Sequence, residues 1–132
     1  MRTPDQALAE HVSGRPAAWR IGLFIAALAL NLWTMYAPSV PGPPSNVRLD
    51  LIGHAATFAT LTFTGLLAGI RPRLLLPLVA ANAVASELIQ HFLLPARSGD
   101  ITDLAADAVG IALGWAVFAQ WQRVREQRVR AH

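Results

Sequence analysis

The sequence predicts an all-α fold, a four-helix transmembrane bundle with both termini cytoplasmic. Three observations carry this reading. The 132-residue chain holds four apolar runs, the later three about 20 residues long, which is the length a bilayer core requires. Hydrophobic residues make up 54% of the chain and charged residues only 14%, against about a quarter in an ordinary soluble domain. The basic residues, finally, lie between the apolar runs instead of within them.

Residues 1–20 read as a polar cytoplasmic lead carrying Arg2, Arg15 and Arg20, with a short helix expected over 6–12. It lacks the plan of a signal peptide, because its start is mixed polar and several apolar runs follow. The first span covers 21–37. Asn31 is its only strongly polar residue, and Trp33 and Tyr36 stand near its far end, where aromatic rings favour the interface. Residues 38–46 contain four prolines and a glycine and are expected to form an extended loop. The second span, 51–70, is entered through Arg48 and Asp50. Arg71-Pro72-Arg73 forms a basic turn into the third span, 74–94, with Pro77 in its first turn, where a missing N–H costs least. A short loop carrying Arg97 leads to the fourth span at 101–121. A basic tail, 122–132, holds Arg123, Arg125, Arg128 and Arg130. The domain plan is thus a lead (1–20), a four-span membrane domain (21–121) and a tail.

Orientation follows from the arginines, since all eleven basic residues are Arg. With the termini and the Arg71/Arg73 turn on one side, that side carries nine arginines and the other only Arg48 and Arg97. Basic residues accumulate on the cytoplasmic side, so the loops at 38–49 and 95–100 face outward. The same placement argues against a nucleic-acid partner despite the net charge of +3. The tail directly follows a span and reads as a topology anchor that also attracts anionic lipid. The absence of cysteine excludes disulfides, thiolate catalysis and Cys-based zinc sites. No Gly-rich phosphate loop is present, and no cofactor is expected.

Five of the eight acids fall in the outward half: Asp50, Glu87, Asp100, Asp103 and Asp107. Asp50 and His54 are one turn apart at the start of the second span. Glu87, Gln90 and His91 share the end of the third, and Asp100, Asp103 and Asp107 form a stripe at the start of the fourth. At 1.5 Å per residue, Glu87 and Asp107 lie roughly 10 Å below the outer surface. Ionisable residues at such depth normally face a bundle interior or a wet cavity and are functional candidates by default. An outward-facing polar cleft between the second, third and fourth spans is therefore expected. The Asp107 stripe runs on into Gly110 and Gly114, a spacing that lets a neighbouring helix approach closely. Gly65 and Gly69 repeat it in the second span.

The ordered set Asp50-x-x-x-His54, Glu87-x-x-Gln90, Arg97-x-x-Asp100-x-x-Asp103 and Asp107-x-x-Gly110-x-x-x-Gly114 resembles the VanZ-like membrane proteins over about residues 21–120. That family is associated with low-level resistance to the glycopeptide teicoplanin, without an established biochemical activity. Two positions depart from its usual pattern: Leu51, where a Lys is usual, and Asp107, where an Asn is usual.

Glu87 and Asp107 are candidates for acid–base work, metal ligation or head-group contact. The alternatives are structural: an ion pair with Arg97, or hydrogen bonds to Gln90 or His54. Asp100 is expected to cap the fourth helix, and Asp103 in its first turn is favoured by the helix dipole anyway. Arg97 either clamps an anionic group or pairs with Asp100 or Asp103. His54 and His91 together with Glu87 and Asp107 offer nitrogen and oxygen donors, but H-x-x-x-H and H-E-x-x-H are both missing, so no metal is expected. Ser98 lacks the glycine elbow of a nucleophile. Asn82 is expected to make an interhelical hydrogen bond.

Two functions from different classes follow. One is an envelope protein of the VanZ-like kind, binding a lipid head group or an amphiphilic antibiotic through Asp50, His54, Glu87, Gln90, Arg97, Asp103 and Asp107. The other is an intramembrane enzyme acting on a lipid-linked phosphate or ester, with Glu87, Asp107 and His54 as catalytic candidates. The partners implied are membrane lipid, a lipid-linked or amphiphilic small molecule, and further copies of the chain. The location expected is the bacterial cytoplasmic membrane.

Overall fold

The computed structural model describes residues 16–38, 47–94 and 100–131. Four helices and no strands occur among them: α1 (Ala18–Tyr36), α2 (Val47–Leu67), α3 (Pro72–Leu93) and α4 (Ile101–Arg130). Three of these, α1, α3 and α4, are long and apolar enough to cross a membrane. The expected helix over 6–12, the Pro-rich loop at 39–46 and the loop at 95–99 lie outside the described residues.

Local chemistry sets the helix ends. α2 stops where Gly69 takes a φ of +89°, a conformation that costs glycine little. There the Gly69 N–H bonds the Leu66 carbonyl at 3.0 Å and the Ile70 N–H bonds that of Gly65 at 3.1 Å. This is the paired closure of a Schellman cap. Gly69 is therefore a helix terminator and does not share the packing role of Gly65, whose missing Cβ makes room for Leu75. Pro72 occupies the start of α3, where its fixed φ is pre-set for the helix, so α3 begins two residues earlier than the apolar run. In consequence Pro77 is not in the first turn, as the sequence implied, but inside the helix. Asp100 caps α4 as expected, accepting the Thr102 N–H at 3.4 Å. α4 then runs for 30 residues, about 45 Å. Its last nine residues continue the same helix as an exposed basic rod instead of ending near Trp121.

Two cross-helix hydrogen bonds fix the directions. Gln90, near the end of α3, reaches the Met35 carbonyl near the end of α1, and His54, early in α2, reaches Asp107, early in α4. Glu87, near the end of α3, lies 3.8 Å from the same imidazole early in α2, so successive helices alternate in direction. α2 and α3 each touch all three other helices, whereas α1 and α4 do not meet. The core lies between them and contains Met35, Phe58, Leu61, Leu66, Leu75, Val79 and Ala83.

The outside is apolar. Ile25, Leu78, Leu88, Phe92 and Val117 are each more than half exposed. Exposed apolar side chains on every helix, around an interior that holds Asn31, His54, Thr62, Ser86, Glu87, Gln90, Asp103 and Asp107, are the inverse of a soluble domain. The chain is a membrane protein.

Candidate functional site

Each polar residue reaches the site by a short, traceable route. The buried residues of α4 are Asp103, Asp107, Gly110 and Gly114, one stripe at helical spacing. In its lower part a Cβ on Gly110 would fall on the Ala55 carbonyl, and one on Gly114 would lie 2.5 Å from the Ala59 carbonyl oxygen. The two backbones are therefore close to touching. Ala55 follows His54, and Gly110 is one turn beyond Asp107, so this approach brings a side chain as short as Asp107 within reach of the imidazole.

His54 Nδ1 and Asp107 Oδ1 are 2.9 Å apart, a hydrogen bond that the ring donates to an ionised carboxylate when the proton is on Nδ1. Glu87 enters from α3, with Oε1 3.8 Å from the same ring nitrogen. Its other oxygen, Oε2, accepts the backbone N–H of Asp100 at 3.0 Å. In a capping box a glutamate of the same helix reaches back to the N-cap N–H. Here a glutamate of a different helix takes that part and ties α3 to the start of α4. Asp107 is fully buried, and the side chains of His54 and Glu87 are 7% and 10% exposed. Glu87 Oε1 and Asp107 Oδ2 are buried with no hydrogen-bond partner among the described residues.

The donor atoms of His54, Glu87 and Asp107 lie within 4.8 Å of one another, as do those of Asp50, His54 and Asp103. His54 thus belongs to both groups. Asp50 is exposed and Asp103 buried, so the acids lead inward from the end of the bundle. A cavity of about 220 Å³ opens beside His54. Its walls include Thr34 and Met35 of α1 and Asp50, Gly53 and Thr57 of α2, so it approaches the imidazole from the α1 side, whereas the sequence places the cleft between the second, third and fourth spans.

Of the residues singled out from sequence, His54, Glu87, Asp103 and Asp107 are brought together, with Asp50 at the rim. Gln90 is buried but turned elsewhere, donating to the Met35 carbonyl at 2.9 Å. His91 is exposed and packs edge-on against Phe92. Arg97 and Ser98 lie outside the described residues. Asn82 makes the expected interhelical bond: it donates to Asn31 Oδ1 and accepts from the Tyr36 hydroxyl, both at 2.8 Å. Thr62 and Ser86, both fully buried, were not anticipated. Their sequence signal was faint, because small hydroxylated residues are common in membrane helices and can satisfy themselves, as Ser86 does on the Ala83 carbonyl.

Comparison of the chain with protein-family models, curated proteins and solved structures gives no match. The resemblance to VanZ-like proteins rests on the ordered motifs alone.

Proposed function

We propose that the chain is a four-span, VanZ-like protein of the bacterial cytoplasmic membrane that engages the polar head of a membrane amphiphile from the outer leaflet. The observation that carries this reading is the buried His54–Glu87–Asp107 cluster with a cavity beside it. Carboxylates placed at such depth are costly in a membrane and mark functional positions. α2 serves as the fourth span. It is 21 residues long, like its neighbours, and falls short in apolarity because of Asp50, His54 and four threonines. Asp50 sits at its end and His54 faces inward. The hydroxyls of Thr57, Thr60 and Thr64 bond to carbonyls three or four residues back, which suits them to an apolar medium. The arginine distribution supports cytoplasmic termini.

The amphiphile would place its polar head at Asp50, Asp103 and His54 and its apolar part along the bundle. Teicoplanin, through the family resemblance, is one such molecule. The enzyme reading has one specific support, the buried 2.9 Å His54–Asp107 bond, which is the geometry of a base held by an orienting carboxylate.

Two experiments test this. The chain lacks cysteine, so Ser98→Cys and Ala131→Cys can be labelled singly in intact cells with a membrane-impermeant maleimide. Labelling of the first alone is expected; the reverse pattern overturns the orientation. Expression of the chain is expected to lower teicoplanin susceptibility, with Glu87→Gln changing the effect by no more than a few-fold. Complete loss with Glu87→Gln in a folded protein would favour the enzyme, and no effect of the wild-type chain would remove teicoplanin as the amphiphile.

A further inference from the structure

We propose that His54, Glu87 and Asp107 form a divalent-cation site inside the bundle, suited to an ion of the zinc or manganese kind. The spacing is the first support. His54 Nδ1 lies 2.9 Å from Asp107 Oδ1 and 3.8 Å from Glu87 Oε1. Ligands held about 2.0–2.2 Å from one ion are separated from each other by about 3.0–3.5 Å, a value these two distances bracket. Three helices each contribute one donor, so ordinary side-chain adjustment suffices to converge them.

Unmet acceptors are the second support. Glu87 is nine-tenths buried, yet its Oε1, facing the ring nitrogen, has no hydrogen-bond donor among the described residues. Asp107 is fully buried, and its Oδ2 is in the same position. Buried acceptors normally find partners. A single Nδ1–H cannot satisfy both carboxylates, whereas an ion takes the place of that proton: Nδ1 ligates as the Nε2–H tautomer of neutral imidazole, and a dication with two carboxylates is neutral overall.

The surroundings provide what a metal site needs beyond its ligands. The Asp100 N–H holds the second oxygen of Glu87 and so orients the carboxylate, as outer partners of metal ligands commonly do. Asp50 and Asp103, whose ligand atoms and that of His54 lie within 4.8 Å of one another, offer a cation a graded path from the exposed end of the bundle to the buried one. An imidazole with two carboxylates suits zinc or manganese better than calcium or magnesium, which favour all-oxygen shells. Three protein donors also leave coordination positions free for water or an anionic head group. This inference stands on the donor set and does not depend on the amphiphile.

The test uses the full chain, purified without a polyhistidine tag, placed in lipid nanodiscs, stripped with chelator and titrated with Zn²⁺ or Mn²⁺ alone. One ion per chain is expected to bind. His54→Ala and Glu87→Gln should each weaken binding at least tenfold, and His91→Ala should leave it unchanged. Glu87→Gln keeps the side chain's size and its ability to accept the Asp100 N–H, so it remains informative where His54→Ala does not fold. Absence of stoichiometric binding, as expected if the carboxylates share a proton instead, overturns the site. So does binding that survives Glu87→Gln or is lost in His91→Ala. Because no amphiphile is present, failure here leaves the head-group reading standing, and failure of that reading leaves the metal site standing.

Discussion

The buried face of α4 has two halves that meet α2 by opposite means. In one, Asp103 and Asp107 project carboxylates toward His54, and the helices are joined through polar atoms. In the other, Gly110 and Gly114 project nothing, and the α4 backbone rests on the carbonyls of Ala55 and Ala59. The halves are a single turn apart and depend on each other. Without the glycines the axes would separate, and aspartate, the shortest acid, would not reach the imidazole. Without the polar half the glycines would bring together two helices with no chemistry between them. Close approach is thus the means and the His54–Asp107 pair its result.

The largest effect is expected at Gly110. Gly110→Leu places side-chain atoms where the Ala55 backbone stands, and backbone cannot move aside as a flexible side chain can. Overpacking a tight contact costs about 1–3 kcal/mol and occasionally more, and a backbone clash belongs at the upper end. A loss of about 3 kcal/mol or more is expected, seen as a collapsed yield of monodisperse protein or a lowered midpoint in thermal unfolding. Unchanged stability would mean that the glycines do not set the α2–α4 distance. Gly114→Ala is expected to cost less, about 1–3 kcal/mol, because it adds a single methyl group, which meets the Ala59 carbonyl oxygen at 2.5 Å and the Thr62 Cβ at 2.9 Å.

Next in size is the pair itself. A double-mutant cycle over His54→Ala and Asp107→Ala is expected to give a coupling of about 1–2 kcal/mol, the upper range for polar pairs between membrane helices. Zero coupling in chemical or thermal unfolding would make the hydrogen bond incidental. Asp107→Asn is the sharper variant. It keeps a carbonyl oxygen for the imidazole N–H but removes the charge. Stability should therefore fall by less than in Asp107→Ala, while any affinity for a cation falls as steeply as in Glu87→Gln.

Much of this arrangement was legible in the sequence, and the parts that were not have identifiable causes. Apolar runs separated by prolines and arginines marked four helices. The stripe of Asp103 and Asp107, with Glu87 at the depth of Asp107 and His54 near the start of the second span, marks their convergence. Gln90 lies apart from the cluster because a three-residue step along a helix leaves it about 60° off the direction of Glu87, enough to turn it toward α1. His91, displaced by about 40° the other way, points outward for the same reason. Gly69 resembled a packing glycine because spacing reports separation and says nothing of backbone conformation. Pro77 lies a turn deeper than the apolar run implies, because an apolar run need not start where its helix starts. Glu87 holding the N–H of Asp100 was invisible, since the loop between them hides the closeness of residues on different helices.

The smallest effect is expected at Asp100, and it separates the ends of the polar half. Three acids lie at the start of α4, but only Asp107 bonds the imidazole; Asp100 caps the helix with an exposed side chain and a long, 3.4 Å bond to Thr102. Losing an N-cap costs about 0.5–2 kcal/mol in general, and a stretched, exposed cap belongs near the lower figure. The contact that matters to the cluster is the one Asp100 makes with its backbone, to Glu87 Oε2, and no side-chain substitution at position 100 other than proline removes it. Asp100→Ala should therefore lower stability by about 0.5 kcal/mol in thermal unfolding and leave Glu87 in place. Asp100→Pro, lacking the N–H, should free the Glu87 carboxylate and disturb the cluster beyond the cap itself. Equal behaviour of the two variants would mean that the link from α3 to α4 does not orient Glu87.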